Sequence, residues 1–298
     1  AIRQGNHMTG PLDGYRVIDL TQVVSGPLAT MVLADQGADV IKVEPVTGMG
    51  DIARLPSFAR GGLSAFFIHN NRGKRSFSVD LTGDEGRAIV RELAAQADVF
   101  VQNFRPGAVE RLGLGYDDLV ADNPDLVYVS ISGFGPTGPY AGRPVLDPVI
   151  QGICGVIDRQ LNPQIPFPDL IRNLYADKST ALTVAQATTA ALLARERGHG
   201  GQKVEIPMVD ACMYFFWPDG MMQHALVGEP DADEVYPGDY YRVYPTTDVD
   251  IVLMPLMGPL NGICRPVGPH QWLGECGELT PDHRHPFPDP CAAAGSQR

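Results

Sequence analysis

The 298-residue sequence predicts an α/β fold, an open parallel sheet flanked by helices, with a second, smaller domain after it. Three observations carry the prediction. From residue 15 onward, short β-rich runs alternate with helical stretches, as parallel strands joined by helical crossovers require. The stretches between the runs place apolar residues at helical spacing. Beyond about residue 230 the texture changes, with Asp and Tyr clustered at 231–241 and a tail loaded with Pro, Gly and His.

In chain order, YRVIDL (15–20) reads as the first strand, followed by an Ala- and Leu-rich helix over 28–37 and a strand over 39–44. A Gly/Pro-rich loop separates these from a strand over 76–81, a helix over 84–96 and a strand over 98–102. In that helix Ile89, Val90 and Leu93 share one face, while Glu85, Arg87, Arg91 and Glu92 populate the rest. Helical material at 117–121 leads into a strand at 126–130. A long helix over 170–197 stops at Gly198-His199-Gly200-Gly201, and a strand at 202–208 and a helix from 209 follow. A last strand-like run lies at 251–254. This gives a Rossmann-like large domain over 9–228 and a small domain over 229–298. The opening AIRQGNHM lacks an apolar signal core and resembles a tag remnant over 1–8.

Apolar residues at 44% and charged residues at 19% describe a globular chain with a full core. A net charge of −12 speaks against a nucleic-acid or membrane-surface footprint, yet local basic clusters can still hold an anionic small ligand. Five unpaired-looking cysteines suggest reduced thiols and a cytoplasmic protein, and no run is long enough to span a bilayer.

The stretch SISGFGPTGP (130–139) contains G-x-G-x-x-G. A dinucleotide fingerprint must open directly into a helix whose amides hold a pyrophosphate, and Pro136 and Pro139 prevent that. It reads instead as a loop at a strand's carboxyl end, where open α/β sheets bind their ligands. RGKRS (72–76) lacks the order of a Walker loop. Arg72, Lys74 and Arg75 form either a phosphate-holding cationic loop or a solvated basic turn. Cys276, His283, His285 and Cys291 match no structural zinc spacing, so no metal is expected. There is no G-x-S-x-G elbow and no H-E-x-x-H. Asp177 precedes the small, apolar run ALTVAQATTAALLA. A carboxylate there either complements the helix dipole or, partly desolvated, serves as nucleophile or base.

Several motifs in order resemble class III coenzyme A transferases: PLDGYRVIDL (11–20), Gly26-Pro27, LADQGADVIKVE (33–44), NRGKRS (71–76), QNFRPGA (102–108) and RERGHGGQ (195–202). That group holds formyl-CoA transferase, carnitine CoA-transferase and α-methylacyl-CoA racemase. The resemblance implies transfer of coenzyme A from an acyl-CoA to a carboxylic acid, through an aspartyl-acyl anhydride and an aspartyl-CoA thioester. The family's aspartate opens a helix upstream of the Gly-Gln pair, which maps it onto Asp177. Coenzyme A contacts by similarity are Gln22, Val23, Val24, Ser25, Asn103, Phe104, Ala108, Arg111, Arg143 and Met208, with Asp147 near the reacting centre and Arg72 and Lys74 on the basic loop.

The resemblance also implies coenzyme A as substrate with no tightly bound cofactor, and a homodimer, interlocked in the family. The family pattern fades from Met257 onward, so the small domain reads as incomplete or divergent at its C-terminal end. Two alternatives stand beside transfer. The racemase branch sets a histidine just before its acid, but here that segment is Arg143-Pro144-Val145-Leu146-Asp147, and no histidine lies between His69 and His199. The other is a catalytically incomplete coenzyme A-binding member.

Overall fold

The computed structural model describes residues 10–55, 59–160, 167–228, 242–245 and 250–253. Strand β1 (Arg16–Asp19) leads into helix α1 (Ser25–Asp35) and strand β2 (Asp39–Pro45). A short hairpin, β3 (Ala59–Arg60) with β4 (Leu63–Ser64), precedes α2 (Ala65–Asn71), β5 (Arg75–Val79), α3 (Asp84–Ala95) and β6 (Val99–Gln102). Then come α4 (Tyr116–Val120), β7 (Val127–Ser132), α5 (Asp147–Ile153) and α6 (Val156–Arg159). The 20-residue α7 (Tyr175–Ala194), β8 (Gln202–Pro207) and α8 (Met208–Gly220) complete this part.

Six strands form one parallel sheet in the order β5-β2-β1-β6-β7-β8. The chain starts at β1, winds outward through β2 to β5, then returns to β1's other side and winds outward through β6, β7 and β8. Both faces are covered, as the near-continuous apolar strands demand. Val17, Val99, Val101 and Val129 pack under α1, α5, α7 and α8, while Ile18, Ile41, Phe100 and Tyr128 pack under α3 and α4.

The six strands of the parallel sheet appear where the sequence predicts them, to within a residue or two at their ends, while the short hairpin β3–β4 falls in the stretch read as a loop. Three helices do not follow from the pattern. α5 is the run DPVIQGI, whose Pro148 sits in the first turn, where a missing N–H is harmless. α2 is short and rests on an N-cap in which Ser64 Oγ accepts the Phe67 N–H at 3.3 Å. α6 is a single turn. The long helix begins at Tyr175 rather than near 170, because the segment before it is clasped by α5. In α3 the buried line is Gly86, Val90 and Ala94, and Ile89 is instead 38% exposed. Ile89 overhangs the open β5 edge beside Phe77 and Leu93.

The chain divides into two units, Ala1–Gly220 and Met221–Arg298. Within the second, β9 (Arg242–Pro245) and β10 (Asp250–Leu253) form an antiparallel pair. The cysteine and histidine residues of the tail lie outside the described residues.

Candidate active site

In an open α/β sheet the natural binding crevice lies where successive connections leave in opposite directions, here beyond the ends of β1 and β6. Gln22 follows β1 and Asn103 follows β6, and the two clasp each other there. Asn103 Oδ1 accepts the Gln22 N–H and Asn103 Nδ2 donates to the Gln22 carbonyl, both at 2.8 Å. The next residue, Val23, has φ 70°, a left-handed conformation that a β-branched residue adopts only when its surroundings impose it.

What imposes it is a buried ionic lattice beneath the turn. Asp51 accepts the Val23 N–H at 3.0 Å and pairs with Lys42 at 3.0 Å. Lys42 in turn donates to the Thr21 carbonyl at 2.7 Å. One strand away, Asp19 receives the Thr21 N–H at 2.9 Å, the Thr30 hydroxyl at 2.7 Å and the Lys74 ammonium at 2.9 Å. Lys74 also donates to the Pro27 carbonyl and to Asn71 Oδ1. Burial alone would raise the Asp19 carboxyl, but the charges of Lys74 and Lys42 and the Thr21 hydrogen bond hold it well below the usual carboxylate range. Burial pulls Lys74 down to about 8, against the opposing pull of Asp19. The lattice thus spends paired charges to rigidify the 21–27 backbone from which α1 starts.

Two carboxylates face α1 from the neighbouring helices. Asp177 lies in the first turn of α7, 9% exposed, and Asp147 begins α5, 3% exposed. Asp147 Oδ2 accepts the Asp177 N–H at 2.8 Å. Ser25, the first residue of α1, faces the Asp177 carboxyl. Burial, then the adjacent Asp147 charge, push the Asp177 carboxyl up to about 6, with Ser25 favouring the charged form and pulling the other way. No basic side chain is among the groups acting on it. The small residues of α7 let α1 and the sheet approach, and its hydroxyls are spent internally, as with Thr180 on the Ala176 carbonyl at 2.6 Å.

The sequence-predicted residues separate into three sets. Gln22, Val23, Val24, Ser25, Asn103, Asp147 and Asp177 gather at or beside the crevice. Met208 opens α8, buried, next to Val209, whose N–H bonds the Gly133 carbonyl. Phe104 and Ala108 sit half-buried on the loop after β6, with Arg111 exposed beyond them. Arg143 is exposed, its guanidinium 4.3 Å from the Tyr140 ring centre. Arg72 and Lys74 turn elsewhere. Arg72 forks onto Asp35 on the surface, and Lys74 is buried on Asp19, so the basic loop is neither a solvated turn throughout nor a cluster of free cations.

Sequence reading missed Gln151 and the lattice partners Asp19, Lys42 and Asp51. A signal for the lattice was present: Asp19 and Lys42 interrupt otherwise apolar strands and fall in register on the neighbouring strands β1 and β2. For Gln151 the signal is its i, i+4 spacing from Asp147, legible only once α5 is known to be a helix.

A fold of this topology, with an uncompensated buried carboxylate beside its switch point, defines a scaffold for covalent or acid–base chemistry on a ligand entering over β1 and β6. Comparison with known proteins narrows the class. The model of CoA-transferase family III matches residues 12–275. A Mycobacterium tuberculosis protein named a probable fatty acyl-CoA transferase, Rv3272, is 42% identical over 208 residues, covering 68% of this chain and 52% of that protein. The acetyl-CoA:oxalate CoA-transferase of Acetobacter aceti is 39% identical over 218 residues, covering 73% and 54%. A crystal structure of a CaiB/BaiF family protein from Brucella suis superposes with a TM-score of 0.77 at 33% identity, covering 96% of this chain and 75% of that one. The chain belongs to CoA-transferase family III. It spans about half the length of the curated relatives it matches.

Proposed function

We infer that the large unit moves coenzyme A between an acyl-CoA thioester and a carboxylic acid, with Asp177 as the covalent nucleophile. The observation that carries this reading is the state of Asp177, a nearly buried carboxylate with no cationic partner among the described residues, beside a crevice at the switch point. A carboxylate is a weak nucleophile in water, and removing its hydration raises its basicity and reactivity. The mixed anhydride it forms also needs protection from water, which the same burial supplies.

The sequence of bonds is as follows. An Asp177 carboxylate oxygen attacks the thioester carbonyl carbon, the C–S bond breaks, and the coenzyme A thiolate leaves behind an aspartyl-acyl anhydride. The thiolate then attacks the aspartyl carbonyl carbon, expelling the donor acid as its carboxylate and leaving an aspartyl-CoA thioester. The acceptor carboxylate attacks that thioester and releases the thiolate a second time. Return of the thiolate to the acceptor's carbonyl carbon frees Asp177 and yields the new acyl-CoA, with no net gain or loss of protons. Ser25, which faces the Asp177 carboxyl and favours its charged form, is assigned to stabilise the oxygen on which charge develops at the aspartyl carbon.

The same reading assigns the coenzyme to a path from Gln22, Val23 and Val24 across Asn103, Phe104, Ala108 and Met208. Its phosphates go to Arg111 and Arg143, which form no ion pair among the described residues, in preference to Arg72 and Lys74, which are held by Asp35 and Asp19. Coenzyme A is a passing substrate rather than a resident cofactor. A homodimer and a cytoplasmic setting belong to the same proposal. Cys154 and Cys212 are buried free thiols, and among the described residues no helix is long and apolar enough to cross a membrane.

The test is a panel of acyl-CoA donors against mono- and dicarboxylic acids, read by mass spectrometry for new acyl-CoA. One donor–acceptor pair should turn over in the native chain and fall by at least about a thousandfold in Asp177→Ala. Undiminished transfer by Asp177→Ala would overturn the assignment.

A further inference from the structure

We propose that Gln151 is a positioning residue for Asp177, acting through Asp147 and through the chain that leads into α7. The proposal rests on the transferase reading for its kinetic consequences, but its geometry stands alone. Gln151 is 1% exposed and lies four residues after Asp147, one turn later on the same face of α5. Its side-chain amide is used at every position. The two hydrogens of Nε2 are shared among three acceptors, Asp147 Oδ1 at 2.5 Å, the Asn173 carbonyl at 3.1 Å and the Ile171 carbonyl at 3.3 Å. Oε1 accepts the Ile171 N–H at 3.0 Å. One side chain therefore stitches α5 to the part-buried irregular segment that leads into α7.

The consequence reaches Asp177 by two short routes. Asp147 is fixed by Gln151 at Oδ1, so its Oδ2 is presented to the Asp177 N–H at 2.8 Å. The 171–173 segment is fixed in the same way, and Asn173 in turn bonds the N–H of Tyr175, where α7 begins. Gln151 thereby determines both the distance of the Asp147 charge from Asp177 and the rotational setting of the first turn of α7. The groups facing Asp177 are Asp147 from α5 and Ser25 from α1, while Cys212 of α8 stands next to Ser179, two residues further along α7. A neutral amide is required at 151, since it must donate to a carboxylate and to carbonyls while accepting from an N–H. A carboxylate of the same shape can only accept, and it would face Asp147 as a like charge.

The experiment uses the full chain with Gln151→Glu and Gln151→Met. The titration of Asp177 is followed by carboxyl carbon NMR, its resonance assigned by loss in Asp177→Asn. Gln151→Glu should raise the titration midpoint by about one pH unit or more, because a second negative charge is brought to the cluster. In the transfer assay both variants should lose kcat on the order of tenfold to a hundredfold, with KM for acyl-CoA held within about threefold, as misplacement of a reacting group does. In the native chain the Ile171 amide should exchange with solvent deuterium as slowly as the amides inside α7. Folded variants that leave both the midpoint and kcat unchanged overturn the proposal, and so does fast exchange at Ile171, which needs no variant at all. A native chain inactive toward every donor would sink the transferase reading while leaving the titration and exchange results to decide the role of Gln151.

Discussion

The carboxylate of Asp147 receives the backbone N–H of Asp177 at 2.8 Å, setting two acidic residues side by side with neither in an ion pair among the described residues. The contact brings a negative charge to the place where Asp177 must itself ionise. Burial and that charge place the Asp177 titration at about 6. Acyl capture by an ionised carboxylate should therefore rise with pH through about 6 and level off above it. Asp147→Asn keeps the shape and an acceptor for the N–H but removes the charge, so the midpoint should fall by about one unit. Single-turnover rates across pH 4 to 8 check both statements, and an unmoved midpoint in Asp147→Asn would count against the coupling.

Ionised Asp177 should weaken the fold it serves. Its folded-state value lies above the unfolded one, so the native chain binds the proton more tightly between about pH 4 and 6, and stability falls as pH rises through that window. Asp177→Asn should then be more stable than the native chain by about 2 to 3 kcal/mol above pH 6, and indistinguishable from it below about pH 4. Denaturant melts at pH 4 and pH 7 measure the difference.

The pair of Asp19 with Lys74 is almost completely buried, both side chains 2% exposed or less. Removing one partner strands the other. Asp19→Asn should cost about 3 to 5 kcal/mol, and a double change with Lys74→Met should be less harmful than the single one. A double-mutant cycle by urea denaturation reads the coupling directly, and additive losses would show that the lattice is not a unit.

Gly133, in the loop after β7, has no room for a side chain, since a Cβ there would stand 2.1 Å from Val145 Cγ1. Val145 leads into Asp147. Gly133→Ala should cost about 1 to 3 kcal/mol and lower kcat more than it raises KM, and Val145→Ala should restore much of the loss. Thermal melts and steady-state kinetics on the three variants provide the comparison.

These effects bear on how much of the molecule its residues disclose unaided. The sheet was legible because parallel strands buried on both faces are written as short apolar runs, such as VIKVE and LVYVS, between amphipathic helices. The G-x-G-x-x-G of residues 133–138 could be set aside because its prolines forbid the helix that a dinucleotide turn needs. Asp177 was open on local grounds, and only the order of several motifs favoured the nucleophile reading over that of a dipole-complementing acid. Lys74 shows where local reading stops. A lysine in RGKRS looks solvated, and nothing nearby says that Asp19, 55 residues earlier, waits beneath it. Gln151 was invisible for the same reason. Its partners belong to the Asp147 turn and to residues 171 and 173, and only the folded chain brings them together.

The claim on which the account turns is that Asp177 holds first an acyl group and then coenzyme A. The direct measurement is to mix the chain with an acyl-CoA donor, withhold the acceptor, trap with hydroxylamine and map the modified peptide by mass spectrometry. The account predicts an aspartyl hydroxamate at Asp177 that disappears when Asp177→Asn is used in its place. A modification at another residue, or transfer that proceeds with Asp177 never labelled, would contradict it.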